Sequence, residues 1–404
     1  MRCKHVIIWL ILLMLFLSQM AFADDGASMK LWDVNINRSY WRSHPEVKHE
    51  SVQYNPWGNM LDGLEETQAD VVGIRFLNHE LIPLIEKDAL EDLSDSAVIS
   101  KAVDCMMPWI KKLVVTADGR IAAFPTLAYV RPIYWYQDAW DAAGLQPEDV
   151  PRSYTGLLDF LDAWIKRIER TPEKNVCVSR LVRFNTGIEK LNYAAWLMEI
   201  LLFSHEMQQR YAGEEVTFNT QEFITLAQRT REIGLALYEA EPRQTKRQEM
   251  MQLLQSDLQG GEHANNGRPY GMSHTIPLRI TDEQPELSYV CVEAVFIRKG
   301  SPCSQEGIQM IEDMASNVHW TKGLALYSDF EAGDYPFDSG RMGYVDERWL
   351  RDYRDYEGAF VAYPSVFNQK KNASSDKEAL VLKFLKKDIS AEELAQKLDE
   401  CSFM

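Results

Sequence analysis

Asp118-Gly119-Arg120-Ile121-Ala122-Ala123-Phe124-Pro125, followed by Trp135-Tyr136-Gln137-Asp138-Ala139-Trp140 and Ala143-Gly144-Leu145, is the most specific run in the chain. Asp-Gly is a turn signal, because glycine enters the left-handed backbone region without a steric penalty. Set between Leu113-Val114-Val115 and Ile121-Ala122-Ala123-Phe124, it predicts a tight turn joining two short strands.

Upstream, Met29 to Val34 reads as a first strand, and a helical stretch leads to the His44-Pro45 break. Val47 to Tyr54 alternates as a second strand, Met60 to Thr67 reads as a short helix, and Asp70-Val71-Val72-Gly73-Ile74 suits a strand buried on both faces. Downstream, Leu157, Leu158, Leu161, Trp164 and Ile165 recur at helical spacing. Asn219 with Glu222 predicts a capped helix whose buried stripe holds Phe223, Leu226, Ile233 and Leu237, and Ser390 with Glu393 predicts the cap of a last helix. Trp32, Trp164 and Trp196 fall inside these elements and are expected in the core, as is Cys291 within its apolar run. Strands alternating with helices imply an α/β fold with mostly parallel sheets covered on both sides.

At 404 residues the chain exceeds what one hydrophobic core usually serves, so two lobes are expected. Arg2 and Lys4 precede an apolar run from Val6 to Leu17, then Ala21-Phe22-Ala23, which is the pattern of a signal peptide cleaved after Ala23. The run is too short to span a bilayer, and no cysteine stands immediately after the cleavage point to carry a lipid. A periplasmic or secreted protein is expected. The net charge of −17, with no long Lys/Arg cluster, argues against nucleic-acid partners. The eight histidines show no metal-ligand spacing, and the motifs of zinc peptidases, α/β-hydrolases and P-loop enzymes do not occur. No catalytic residue, metal or cofactor is assigned. A paired-carboxylate glycoside hydrolase is the enzyme alternative, resting only on the 60 acidic residues.

Taken in order, these segments resemble the family 1 extracellular solute-binding proteins, the group of maltose-binding protein. Leu31-Trp32-Asp33 resembles the family's first strand, His44-Pro45-Glu46-Val47-Lys48-His49 its "HP-x-V-x-V" motif, and Ala69-Asp70-Val71-Val72 its "PDV" strand. The opening stretch is similar to the family's "DGK-x-YG-x-P…YN-x-DLF-x-x-AGL" run, and Val216-Thr217-Phe218-Asn219 to "V-x-FNSPE". One departure bears on the ligand: the family's "GKAAM" stretch and its stacking Trp are missing between Leu253 and Arg268.

The resemblance implies a two-lobed, periplasmic-binding-protein-like fold of class II with a hinge of short crossings. One lobe would take residues 24–127 with 291–325 and the other 128–290 with 326–404. The crossings are expected near Leu127 to Tyr129, Tyr289 to Val292 and Trp320 to Asp329. The implied function is capture of a small solute, a sugar or oligosaccharide, by a monomer that closes around it and docks on a membrane ABC permease. The alternatives are a receptor feeding a sensor kinase and a binder of anionic solutes. Ligands in open α/β sheets sit beyond the carboxyl ends of strands, which selects Asn35, Asn37 and Arg38 after the first strand and Arg75 and Phe76 after the third. The resemblance adds Tyr129, Tyr289 and Phe367. Aromatic rings against sugar C–H faces, with amides and charges toward hydroxyls, would suffice for recognition.

Overall fold

Val71-Val72-Gly73-Ile74 has no polar face to offer water, and the chain buries it at the middle of a mixed sheet. The computed structural model describes residues 28–32, 38–53, 60–74, 77–131, 133–170, 175–179, 188–242, 244–247, 249–256, 275–316, 356–362, 367 and 373–403. Its strands are β1 (Met29–Trp32), β2 (His49–Val52), β3 (Val71–Ile74), β4 (Phe124–Val130), β5 (Ile133–Trp135), β6 (Val176–Cys177), β7 (Met251–Gln252), β8 (Leu254–Ser256), β9 (Thr275–Ile276), β10 (Leu287–Ile297) and β11 (Ala359–Val361).

The large sheet runs β11-β10-β3-β1-β2, with β4 also paired to β10. β1 is parallel to both β2 and β3, and β10 is antiparallel to β3 and β4. Helices cover it closely enough that a methyl group at Gly307 would stand 3.0 Å from Ile297 Cδ1 and 3.1 Å from Val71 Cγ2. That contact seats the helix Ser304–Ser316 on the sheet. The remaining strands form a three-stranded antiparallel sheet, β8-β5-β9, and a parallel pair, β6-β7. Strand–helix alternation therefore gives parallel pairing among β1 to β3, whereas β5 takes its partners from distant returning segments and pairs antiparallel.

Two separate hydrophobic cores result. One gathers Met29 to Val130 and then Val290 to Ala315, including Trp32, Leu84, Ile110, Phe124 and Phe296. The other gathers Ile133 to Cys291 and then Val361 to Leu398, including Trp140, Trp164, Trp196, Phe218, Phe384 and Leu394. The chain changes core just past the end of β4, between Val130 and Ile133, and again along β10, and β4 and β10 pair with each other. Within β10, Tyr289 and Cys291 belong to one core while Val290 and Val292 belong to the other. Strand side chains alternate between faces, so adjacent residues can serve different interiors. The third expected crossing, 320–329, lies outside the described residues.

The helices Arg38–Ser43, Met60–Thr67 and Tyr154–Arg170 fall where periodicity places them, and the Glu393 N–H donates to Ser390 Oγ at 3.2 Å to cap the last helix, Ala391–Phe403. Two expectations change. Leu113 and Val114 end a helix, Pro108–Val114, instead of a strand; Pro108 starts it and Ile110 and Val114 face the core. The turn survives with Gly119 at φ +88, but only Val115 and Ile121 bridge across it. The cap of the helix Gln221–Ala240 is Thr220, whose side chain accepts from the Phe223 N–H, while the Asn219 N–H is taken by Asp399 Oδ2 at 3.2 Å.

Candidate ligand groove at the strand crossing

The register of β3 against β10 locates the candidate ligand site. Val71 pairs with Ile297 and Ile74 with Ala294, so moving toward the carboxyl end of β3 is moving toward the amino half of β10. That half holds Leu287, Tyr289 and Cys291 of the second core. The parallel strands β1 and β2 end on the same side as β3, at Trp32 and Val52. The edge beyond which α/β sheets bind ligands therefore faces the second core.

The residues that follow those ends, Asn35, Asn37, Arg75 and Phe76, lie outside the described residues. Arg38 opens the helix Arg38–Ser43. Tyr129 sits in β4 with Cys291 as its register partner, two residues from Tyr289, so these two positions meet at the crossing. The Tyr289 and Phe367 side chains take a different place from the ligand-facing one the resemblance implies. Tyr289 is 3% exposed and meets Phe203 edge-on at 4.5 Å; Phe367 is 2% exposed and stacks on Phe218 at 5.4 Å, with Lys377 Nζ 5.5 Å from its ring. Both rings gain more from core contacts than from water, and both pack here against neighbouring aromatics.

Arg131, not singled out from the sequence, follows β4 as a buried residue, and its backbone N–H donates to the Tyr289 carbonyl at 2.8 Å. The signal was there: one charged residue inside the apolar run Leu127 to Trp135. A buried guanidinium beside the crossing is the electrostatic feature of this region, since charges leave water only for specific partners.

Glu241 is the buried carboxylate one would test for catalysis, and burial raises its pKa above the usual carboxylate range. Its surroundings are structural. Oε1 accepts from Trp164 Nε1 at 3.0 Å and the Val178 N–H at 2.9 Å, and Oε2 accepts from the Tyr193 hydroxyl at 3.0 Å, all inside the second core. At the opposite end of the large sheet a depression of about 10 Å³ is lined by Asp88, Glu91, Thr116 and Arg120. Asp88 there is held below the usual carboxylate range by its hydrogen bonds to Lys299 and Arg120, and the space admits no more than a water. Among the described residues no group of three or more His, Cys, Asp or Glu side chains could hold a metal ion, and no helix is long and apolar enough to cross a membrane.

No protein-family model and no curated protein matches the sequence. Solved structures match it in fold. The solute-binding protein RafE in complex with raffinose is 13% identical, with a TM-score of 0.57 over 93% of this chain and 98% of that one. An ABC substrate-binding protein from Listeria monocytogenes in complex with cycloalternan is 12% identical, with a TM-score of 0.56 over 93% of this chain and 97% of that one. A family 1 extracellular solute-binding protein from Bifidobacterium longum subsp. infantis is 12% identical, with a TM-score of 0.52 over 93% and 98%. The fold match spans nearly the full length of each of these proteins and, with two cores joined by the paired strands β4 and β10, gives this chain the two-lobed α/β fold of the solute-binding proteins.

Proposed function

We propose that the chain is exported and captures a carbohydrate between its lobes, which close on it and present it to an ABC permease, without chemical change to the ligand. The observation that carries this reading is the carboxyl edge of β1 to β3 turned toward the second core across a paired-strand crossing. The binding of raffinose and of cycloalternan by proteins of this fold supports a sugar as ligand. In this reading the lobes are residues 24–127 with 291–325 and 128–290 with 326–404, and a leader ending at Ala23 is removed. Asn35, Asn37, Arg38, Arg75, Phe76 and Tyr129 contact the solute, while Tyr289 and Phe367 support the groove from beneath. Ligand contacts to both lobes shift the population toward the closed form by their difference in affinity for the two states.

Arg38 and Arg75, both placed after carboxyl ends of strands, keep organic anions as the second ligand class. Thermal unfolding against raffinose, xylo-oligosaccharides, cyclic glucans and small carboxylates separates the two. A true ligand at 100 times its dissociation constant adds about 2.7 kcal/mol to the folded state. Turnover of any of these compounds, with no stabilisation by any, would reverse the reading in favour of a hydrolase.

A further inference from the structure

Phe360 belongs to one core by its backbone and to the other by its side chain. Its strand, β11, pairs in parallel with Leu287, Ser288 and Tyr289 of β10, and the Ala359 N–H donates to the Glu286 carbonyl at 2.9 Å. Ala359 and Val361 pack in the second core, whereas Phe360 between them, and Tyr356 just before the strand, pack against the first. Trp109, on the helix Pro108–Val114 of the first core, stands 5.4 Å from Phe360 at an interplanar angle of 36°. Tyr356 continues the cluster 5.2 Å beyond, and Ser288 Oγ lies 3.4 Å from its hydroxyl as donor.

Trp109 moves with the first core, and β11 moves with the amino half of β10. A rotation of one lobe against the other about the β4–β10 crossing changes the Trp109–Phe360 separation while both interiors stay intact. Packed aromatic pairs lose their favourable geometry within a few ångströms of displacement.

We propose that the Trp109–Phe360–Tyr356 cluster is an interlobe latch, which weights the balance of lobe orientations toward the one seen here. The latch rests on the two-lobed solute-binding reading but is tested without any ligand, so its failure and that of ligand capture are distinguishable. Noncanonical-residue spin labels at exposed Lys101 and Ala212, one on a helix of each core, report the interlobe distance in the full chain. Trp109→Ala and Phe360→Ala each change the ratio of distance populations by about twofold to tenfold. The double variant goes no further than either single one, because the contact is shared. Phe160→Ala, which removes a stack on Trp140 inside the second core, lowers the melting temperature and leaves the distances unchanged. Distances unchanged in folded Trp109→Ala and Phe360→Ala overturn the latch. Should those chains not fold, Trp109→Phe and Phe360→Leu replace them, and unchanged distances there overturn it equally.

Discussion

Glu241 is a carboxylate that folding takes out of water, and burial raises its pKa despite three donated hydrogen bonds and the nearby Arg247 guanidinium. The folded chain therefore holds this proton more tightly than the unfolded chain, in which the group titrates near 4.5. Between those two values folding takes up a proton, so this residue's contribution falls as pH rises and is fully unfavourable above the folded value. Glu241→Gln keeps Oε1 as acceptor for Trp164 and Val178 and flattens that slope in denaturant titrations run across pH. Glu241→Ala leaves the buried Trp164 and Val178 N–H groups and the Tyr193 hydroxyl without their acceptor, and costs about 3–5 kcal/mol of unfolding free energy. A second residue-scale constraint is Gly234, where a methyl group would stand 2.4 Å from Ala194 Cα. The helices Asn192–Ala212 and Gln221–Ala240 meet there backbone to backbone, so Gly234→Ala costs roughly 1–3 kcal/mol, read as a lower denaturation midpoint.

At the scale of elements, the last helix is tied into its lobe by one carboxylate. Asp399 accepts from Thr217 Oγ1 at 2.7 Å, the Phe218 N–H at 2.6 Å and the Asn219 N–H at 3.2 Å. Asp399→Ala lowers the melting temperature and raises amide exchange across 217–219. By contrast, Thr220→Ala removes a helix cap and costs about 1 kcal/mol. This neighbourhood also shows how far the sequence is legible. The hydrophobic stripe with Phe223, Leu226, Ile233 and Leu237 is plain from its spacing, because every one of them must face the same interior. The cap is misplaced by one residue, because Asn219 and Thr220 are both good cap residues and the choice is made by Asp399, which is 180 positions away. The strand-like run Leu113 to Val115 fails for a related reason: short apolar runs fit either period, and Pro108 tips this one to helix. Site residues divide the same way. Positions after strands follow from a topological rule, whereas the burial of Tyr289 and Phe367 depends on Phe203 and Phe218, partners that no local pattern announces.

At the scale of the whole molecule, two interiors of unequal size share one pair of strands. If ligand capture works by lobe rotation, a saturating sugar lowers the radius of gyration in small-angle scattering while amides inside both cores keep their exchange protection. Unchanged scattering with tight binding would show that the groove is already closed around its solute before any rotation.

The register of β10 carries a consequence for how this chain can vary. Because neighbouring residues from Tyr289 to Val292 feed opposite interiors, deleting one of them hands tyrosine to a space shaped for valine, and valine to one shaped for tyrosine, in both halves of the molecule at once. Point substitutions there injure one half at a time, and insertions into surface loops injure neither. Length in that short stretch is therefore more sharply constrained than identity, and a library of single-codon deletions across the chain should find its least forgiving stretch there.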